Sequence, residues 1–252
     1  MILFLQSVFM MSQSKSQFFF SGNININNNG IDWVPIFSRG KPSLITNFSL
    51  GKNRFSVNPL IRYELDGLQP WGFDIWWNYK FVQKKKFKFD IGLVLPGVVN
   101  QRVNINQKNL PNTVLQPWVN GLVNPNLSFS INDNFGLSLS YYEIFRIKKV
   151  NTNQFGSGRI FVLFPLIKKI ETGDKFYIRW APQIYTVQVQ DLEIGFFYAQ
   201  TINIGINKFP FSISSVMNKP IYFGGLTGKK FEWNIGVNYS FDLKFTKVNK
   251  ID

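Results

Sequence analysis

Two acidic residues, Asp74 and Asp90, have a spacing that could support catalysis. A pair of carboxylates can supply the acid and the base of a glycoside hydrolase when the two groups face each other across a substrate. Both residues fall on the same face of neighbouring predicted strands, so their side chains could approach. The basic residues Arg62, Lys80 and Lys88 share that face and can neutralise both charges. We therefore interpret the acidic pair as structural.

Other catalytic arrangements lack the residues that they need. The chain contains no histidine and no cysteine, which removes the commonest general base, proton shuttle and metal ligands. A serine–lysine pair is available in principle, but both residue types are abundant and no spacing singles out one pair. The glycine-rich segments 156–158 and 224–228 lack the context of a phosphate-binding loop. We therefore expect neither enzymatic activity nor a cofactor.

The charged residues belong to long segments in which polar and apolar side chains alternate. Within residues 71–81, only Trp76 breaks the alternation. The apolar positions are Trp71, Phe73, Ile75, Trp77, Tyr79 and Phe81. Successive side chains of a β-strand point to opposite sides. The segment therefore predicts a strand with one broad apolar face and one polar face.

The same alternation recurs in about a dozen segments across residues 17–245. Most exceed the ~5–6 residues of an average globular strand and are long enough to cross a bilayer at a tilt. No apolar run approaches the ~20 residues of a spanning helix. We predict an all-β fold, a single antiparallel up-and-down transmembrane β-barrel of about twelve strands. Its predicted extent is residues 15–246.

Side-chain volume decides which face of the predicted barrel points outward. A concave interior has little room for six or more large side chains from one strand, whereas glycine, serine and asparagine on the opposite face suit a crowded wall. We therefore expect the apolar face to contact lipid, with a soluble all-β protein as the alternative. Aromatic residues on this face are predicted to form girdles at the headgroup levels. They are Tyr63, Trp71, Trp77, Trp180, Trp233 and Tyr239.

These strands, with their mostly alternating short and long connections, resemble the outer-membrane β-barrel proteins of Gram-negative bacteria. The abundance of asparagine, lysine, phenylalanine and isoleucine resembles the versions from Bacteroidota. The resemblance covers residues 17–245 and implies an outer-membrane location. Such barrels often end on an aromatic residue that the assembly machinery reads. Here seven residues follow Phe245, so either Phe245 or Phe241 would serve as that signal.

The polar face is the predicted lining of the barrel interior. Its charged residues are Arg62, Glu64, Asp74, Lys80, Lys88, Asp90, Arg179, Glu193, Glu232, Asp242 and Lys244. In an open interior they would form a pore that sorts solutes by charge, whereas residues paired across the interior would fill it. We predict a narrow channel for small polar solutes. The alternative is a non-conducting structural or interaction subunit of a larger outer-membrane complex.

The net charge is +14, and lysines cluster near the predicted strand ends. The clusters lie at 84–88, 148–149, 168–169 and 229–230. They either attract an anionic surface, such as lipopolysaccharide, phospholipid or an acidic outer-membrane protein partner, or keep the turns solvated. No continuous basic patch is predicted, so we do not expect binding to nucleic acid.

The two ends of the chain differ in character from the predicted barrel. Residues 1–14 are mainly apolar and resemble the core of a secretory signal, with Ser12-Gln13-Ser14 as a small-x-small cleavage site. Residues 247–252 are mostly polar. We therefore predict a signal-peptide remnant at the start and a polar tail at the end.

Overall fold

The computed structural model describes residues 17–31, 38–104, 113–147 and 157–246. The predicted signal segment 1–14 and the predicted tail 247–252 lie outside these residues, as do Lys148 and Lys149. No helix in the described ranges is long and apolar enough to span a membrane.

Long strands account for nearly all of the described chain. Their bounds are β1 Gln17–Asn27, β2 Ser43–Lys52, β3 Phe55–Glu64, β4 Gln69–Gln83, β5 Phe87–Asn104, β6 Thr113–Ser130, β7 Phe135–Arg146, β8 Ser157–Ile167, β9 Ile170–Thr172, β10 Phe176–Val189, β11 Gly195–Ile206, β12 Phe211–Tyr222, β13 Glu232–Trp233 and β14 Gly236–Thr246.

Two of the strands are short continuations of longer ones. Both β8 and β9 pair with β10, with a register offset of one residue between them. Both β13 and β14 pair with β12, in unbroken register. The wall of the barrel therefore has twelve strand positions.

The sheet closes because the first strand pairs with the last. On one side β1 pairs with β2, and on the other it pairs with β14 from Gln17↔Thr246 to Asn27↔Gly236. Each neighbouring pair around the wall is antiparallel, and because β1 also pairs with β14, no strand position in the described chain is left with an unpaired edge. The prediction of an all-β, antiparallel up-and-down barrel of about twelve strands is confirmed.

The two rims of the barrel differ in the length of their connections. The rim that holds Gln17 and Thr246, here called the short-turn end, has the brief connections at 53–54, 84–86, 131–134, 173–175 and 207–210. The opposite rim, here called the loop end, has the long connections 28–42, 105–112, 147–156 and 223–231 and two short ones, 65–68 and 190–194. In bacterial outer-membrane barrels the short turns lie on the periplasmic side.

The outer surface of the wall is apolar, as predicted. Along β13 and β14 the exposed outward row runs Trp233, Val237, Tyr239, Leu243 and Phe245. Comparable exposed rows occur on β4, at Phe73, Trp77, Tyr79 and Phe81, and on β7, at Phe135, Leu137, Leu139 and Phe145. An apolar surface that encircles a protein is far larger than soluble monomers expose, and it matches the lipid-facing band of a membrane barrel.

Candidate functional site in the barrel interior

Asparagine and serine side chains line one part of the interior, along β12, β14 and β1. Asn25 donates to Asn238 Oδ1 at 2.9 Å, and Asn238 donates to Ser214 Oγ at 2.9 Å. Asn27 donates to Asn25 Oδ1 at 2.6 Å and extends the chain of hydrogen bonds. All four residues are buried. These bonds satisfy groups that would otherwise be costly to bury, and the short side chains take up little interior volume.

A second polar network lies nearer the short-turn end, where β5, β6 and β7 are neighbours. Asn126 Oδ1 accepts hydrogen bonds from Ser138 at 3.1 Å and from Ser140 at 2.6 Å. The amide of Asn126 donates to Asp90 Oδ2 at 3.2 Å. Asp90 is also the register partner of Lys80 on β4. The network therefore holds the carboxylate of Asp90 beside a positive charge.

Most of the buried apolar side chains lie in the part of the interior along β7, β8, β10 and β11. Tyr185 and Phe197 stack there with ring centroids 5.1 Å apart, and Leu226 from the connection after β12 joins them. We call this group the apolar cluster. It also includes Trp76, Tyr142, Ile160, Val162, Phe164 and Val187. Tyr185 donates to Asn218 Oδ1 at 3.0 Å and so links the apolar cluster to a buried asparagine of β12.

The sequence reasoning did not predict the apolar cluster. The sequence of β8 contains a sign of it, because Ile160, Val162 and Phe164 form a second apolar row behind the outward Phe161 and Leu163. With large apolar side chains on both faces of β8, one row lies on the outer surface and the other packs inside the barrel. Trp76, the exception to the alternation in β4, is another member of the same cluster.

Trp71 was predicted to belong to the outer girdle, and this was wrong. A β-bulge lies between β3 and β4, because Arg62 pairs with Gly72 whereas Tyr63 pairs with Pro70. Trp71 is the extra residue, and its side chain is 1% exposed inside the barrel. A bulge turns one side chain away from the face that alternation assigns to it.

Four interior residues near the loop end form what we call the arginine–tryptophan cluster: Arg39, Arg62, Trp71 and Asp74. Arg62 Nη2 lies 2.7 Å from Asp74 Oδ2, with side-chain exposures of 6% and 14%. The guanidinium carbons of Arg62 and Arg39 lie 5.4 Å and 5.7 Å from the centre of the Trp71 ring. Both positive groups are thus within cation–π distance of one indole.

Arg39 comes from the long connection between β1 and β2, so this connection reaches into the interior. Its guanidinium donates to the backbone oxygen of Trp71 at 3.4 Å and to that of Asn100. A hydrogen bond within the connection, from Arg39 N to Gly30 O at 2.7 Å, holds its two ends together. Arg39 therefore fastens the β1–β2 connection to β4 and β5.

The interior is more accessible near the short-turn end. Lys80, Lys88, Asp90 and Arg179 are all partly exposed there. The Lys80 ammonium lies 5.9 Å from the ring centre of Phe19, and Arg179 lies 5.0 Å from that of Tyr177. We call these four charged residues the vestibule. Their positive groups outnumber their single carboxylate.

The remaining predicted lining residues occupy different environments. Glu64 and Glu232 are buried, at 1% and 5% exposure, and Lys229 Nζ lies 3.9 Å from Glu232. Asp242 and Lys244 are exposed on the short-turn rim and lie 3.8 Å apart. The structure therefore places these four residues at the two ends of the barrel.

Glu193 was predicted to lie on a lumen-facing strand position, and this was wrong. The strand β11 begins at Gly195, so Glu193 lies in the exposed connection that follows β10. Leu192 N donates to Val189 O at 3.0 Å, which forms a turn, and Glu193 O accepts a hydrogen bond from Gly225 N at 3.2 Å. The hydrogen bonds of this turn and the contact with the connection after β12 stop the alternating pattern before residue 195.

The other five predicted girdle residues are exposed on the outer surface. Trp77 donates to the backbone oxygen of Leu95 at 3.1 Å, and Trp180 donates to Gln200 Oε1 at 3.1 Å. Their indole N–H groups are thereby satisfied on a surface that water reaches poorly in a membrane. Their role at the headgroup level stays a prediction, as it does for Tyr63, Trp233 and Tyr239.

Within the described ranges, no three acidic side chains come together in a way that could hold a metal ion.

Comparisons with known proteins relate the chain to others by fold. No protein-family model matches it, and no curated protein matches it. The structure of the NanC porin is similar, with a TM-score of 0.53 and 8% identity over 87% of this chain and 100% of that one. An outer-membrane channel from Pseudomonas putida F1 is also similar, with a TM-score of 0.51 and 8% identity over 92% of this chain and 97% of that one.

These similarities, at low identity, concern the fold. Together with the closed wall and the apolar outer surface, they identify the protein as a β-barrel of the Gram-negative outer-membrane type that crosses the outer membrane many times.

Proposed function

We propose that the protein is a narrow outer-membrane channel for small polar solutes and that it prefers anions. The observation that supports this function is the vestibule at the short-turn end. Lys80, Lys88 and Arg179 supply three positive charges there against the single carboxylate of Asp90. Fixed charges on a narrow pore wall select among ions because they raise the local concentration of the opposite sign.

Asparagine and serine side chains of β1 and β14 continue the polar surface from the vestibule. Asn23 and Ser240, which are less buried than the network around Asn25 and Asn238, offer hydrogen-bonding groups that can replace part of the water around a solute. Asp74 and Arg62 provide both signs of charge farther along. In a closed barrel without a pore, apolar residues of similar volume would stabilise the interior as well as a buried ion pair or better. The presence of the ion pair favours a polar route.

The arginine–tryptophan cluster would form the narrowest part of this route among the described residues. Trp71 and Arg62 are almost completely buried, and Arg39 closes over them from the β1–β2 connection. A solute that leaves the vestibule would have to displace Arg39 from its backbone partners. Conductance is therefore expected to be small.

A second function is favoured by the apolar cluster. Tyr185 and Phe197 are 1% and 0% exposed, so this part of the interior is packed like a protein core. A barrel filled in this way can serve as a non-conducting subunit that binds other outer-membrane proteins. The test of the channel must therefore be able to detect a closed barrel.

The test is single-channel conductance of the refolded protein in planar bilayers. We expect discrete steps with anion selectivity, and lower anion selectivity in the variant Lys80→Gln/Lys88→Gln. The matched control Lys219→Gln/Lys230→Gln removes the same charge from exposed positions near the loop end and should keep the selectivity. A folded, heat-modifiable barrel that shows no steps would overturn the channel and support the non-conducting subunit.

A further inference from the structure

The short-turn end of the barrel carries exposed basic side chains in most of its connections. We call them the basic ring, and they are Lys52, Arg54, Lys84, Lys85, Lys86, Lys168, Lys175 and Lys208. They occupy the turn after β2, the turn after β4, the break and turn on either side of β9, and the turn after β11. The ring therefore follows much of the perimeter of the wall.

The acidic residues at this end neutralise only part of the basic ring. Asp133 lies 3.8 Å from Lys85, and Glu171 lies 2.9 Å from Lys169, which is outside the ring. Asp174 adds one further carboxylate beside Lys175, and Asp242 lies 3.8 Å from Lys244, which is also outside the ring. The described loop end is closer to balance, because Asp66, Asp191, Glu193 and Glu232 offset its lysines. Positive charge is thus concentrated on one rim.

Members of the basic ring are adjacent in sequence to exposed aromatic side chains. Phe55 follows Arg54, Phe87 follows Lys86, Phe176 follows Lys175 and Phe209 follows Lys208, and these four rings are 39–52% exposed. Arg54 Nη1 also donates to the backbone oxygen of Phe81 at 3.3 Å. An aromatic ring beside a flexible cation is the combination that anchors proteins at the boundary between hydrocarbon and headgroups.

We infer that the basic ring binds the headgroups of anionic phospholipids in the leaflet at the short-turn end. Charge complementarity supports this partner, because phosphate groups of opposite charge lie at the level where the strands leave the hydrocarbon. Placement supports it over a soluble acidic protein, which would contact one side of the rim rather than several turns around it. The inference does not depend on whether the barrel conducts.

The test is native mass spectrometry of the full barrel released from micelles that contain phosphatidylglycerol or phosphatidylcholine. We expect the wild-type barrel to retain phosphatidylglycerol preferentially and to lose it as salt is raised. In the variant Lys84→Gln/Lys86→Gln, which keeps the Lys85–Asp133 contact, affinity should fall about thirtyfold. The variant Lys84→Arg/Lys86→Arg should retain the lipid.

The matched control is Lys219→Gln/Lys230→Gln, which removes two positive charges near the loop end. It should keep the preference for phosphatidylglycerol. Equal retention of the two lipids by the wild-type barrel would overturn the inference. So would an equal loss of phosphatidylglycerol in the ring variant and in the control, because net charge alone would then explain the binding.

Discussion

Trp71 and Trp77 belong to the same strand and to the same alternating row, yet their side chains lie on opposite sides of the barrel wall. Trp77 is 40% exposed on the outer surface, whereas Trp71 is 1% exposed inside. The bulge opposite Arg62 and Tyr63 separates them. One extra residue in one strand thus changes a lipid-facing position into an interior one.

This difference predicts how each tryptophan responds to lipid. In liposomes with brominated acyl chains, the variant Trp77→Phe should lose fluorescence that the lipid can quench. The variant Trp71→Phe should lose only fluorescence that is protected from the lipid, so the quenched fraction of the remainder should rise. Equal changes in the two variants would contradict the assignment of Trp71 to the interior.

The pair Arg62–Asp74 predicts a large effect on stability. Replacing Arg62 by alanine leaves the carboxylate of Asp74 buried beside an empty site, and we expect a loss of about 3 kcal/mol in the free energy of unfolding. The double variant Arg62→Met/Asp74→Leu should recover much of it. Urea unfolding in liposomes provides the measurement. The control Lys41→Ala breaks an exposed ion pair with Asp66 and should cost less than about 1 kcal/mol. Similar losses for both single variants would be evidence against a buried pair.

Arg39 predicts a change in conductance. Its bonds to the backbone of β4 and β5 hold the β1–β2 connection over Trp71. The variant Arg39→Ala should therefore raise single-channel conductance, with little effect on the migration of the folded barrel in gels. The variant Lys41→Ala, in the same connection, should conduct like the wild type. Unchanged conductance in Arg39→Ala would show that this connection does not limit the pore.

The asparagine network predicts a contrast between buried and exposed positions. In Asn238→Leu the buried amide of Asn25 loses its partner at 2.9 Å and keeps only the longer hydrogen bond to Ser214 Oγ at 3.4 Å. We expect a loss of about 2 kcal/mol in the free energy of unfolding. The matched variant Asn23→Leu removes a hydrogen bond to Ser240 in a more exposed position, where water can replace it. Its loss should be clearly smaller. If both variants lose the same stability, burial does not determine the cost.

The closed barrel could be predicted from the sequence because the alternation of polar and apolar residues in each strand shows which side chains share a face. From Trp233 to Phe245, for example, every second residue is apolar and faces outward. Contact with lipid requires these outward residues to be apolar. The interior could not be predicted equally well, since an interior side chain meets residues from distant strands. Phe197 and Tyr185 stack because β10 and β11 are neighbours at one register, which alternation alone does not specify.

The errors in the predicted site have local causes. Trp71 was misplaced because a bulge leaves no mark in the alternation, although Gly72 offered a hint. A Cβ at position 72 would lie 2.7 Å from Arg62 Nη2, so the absence of a side chain makes room for the guanidinium. Glu193 was misplaced because the alternation of β11 extends by chance into the preceding turn. Periodicity gives the faces of a strand more reliably than its ends.

Because β1 pairs with β14, the strands could begin at a different point along the chain and still have the same neighbours around the wall. Gln17 and Thr246 are register partners, so a short linker between them would cross one strand spacing. A circular permutant joined there and opened at the turn 131–134 would keep every neighbouring strand pair. In such a permutant β7 would be made first and β6 last, and the wall would close at the pair that is now in the middle of the chain.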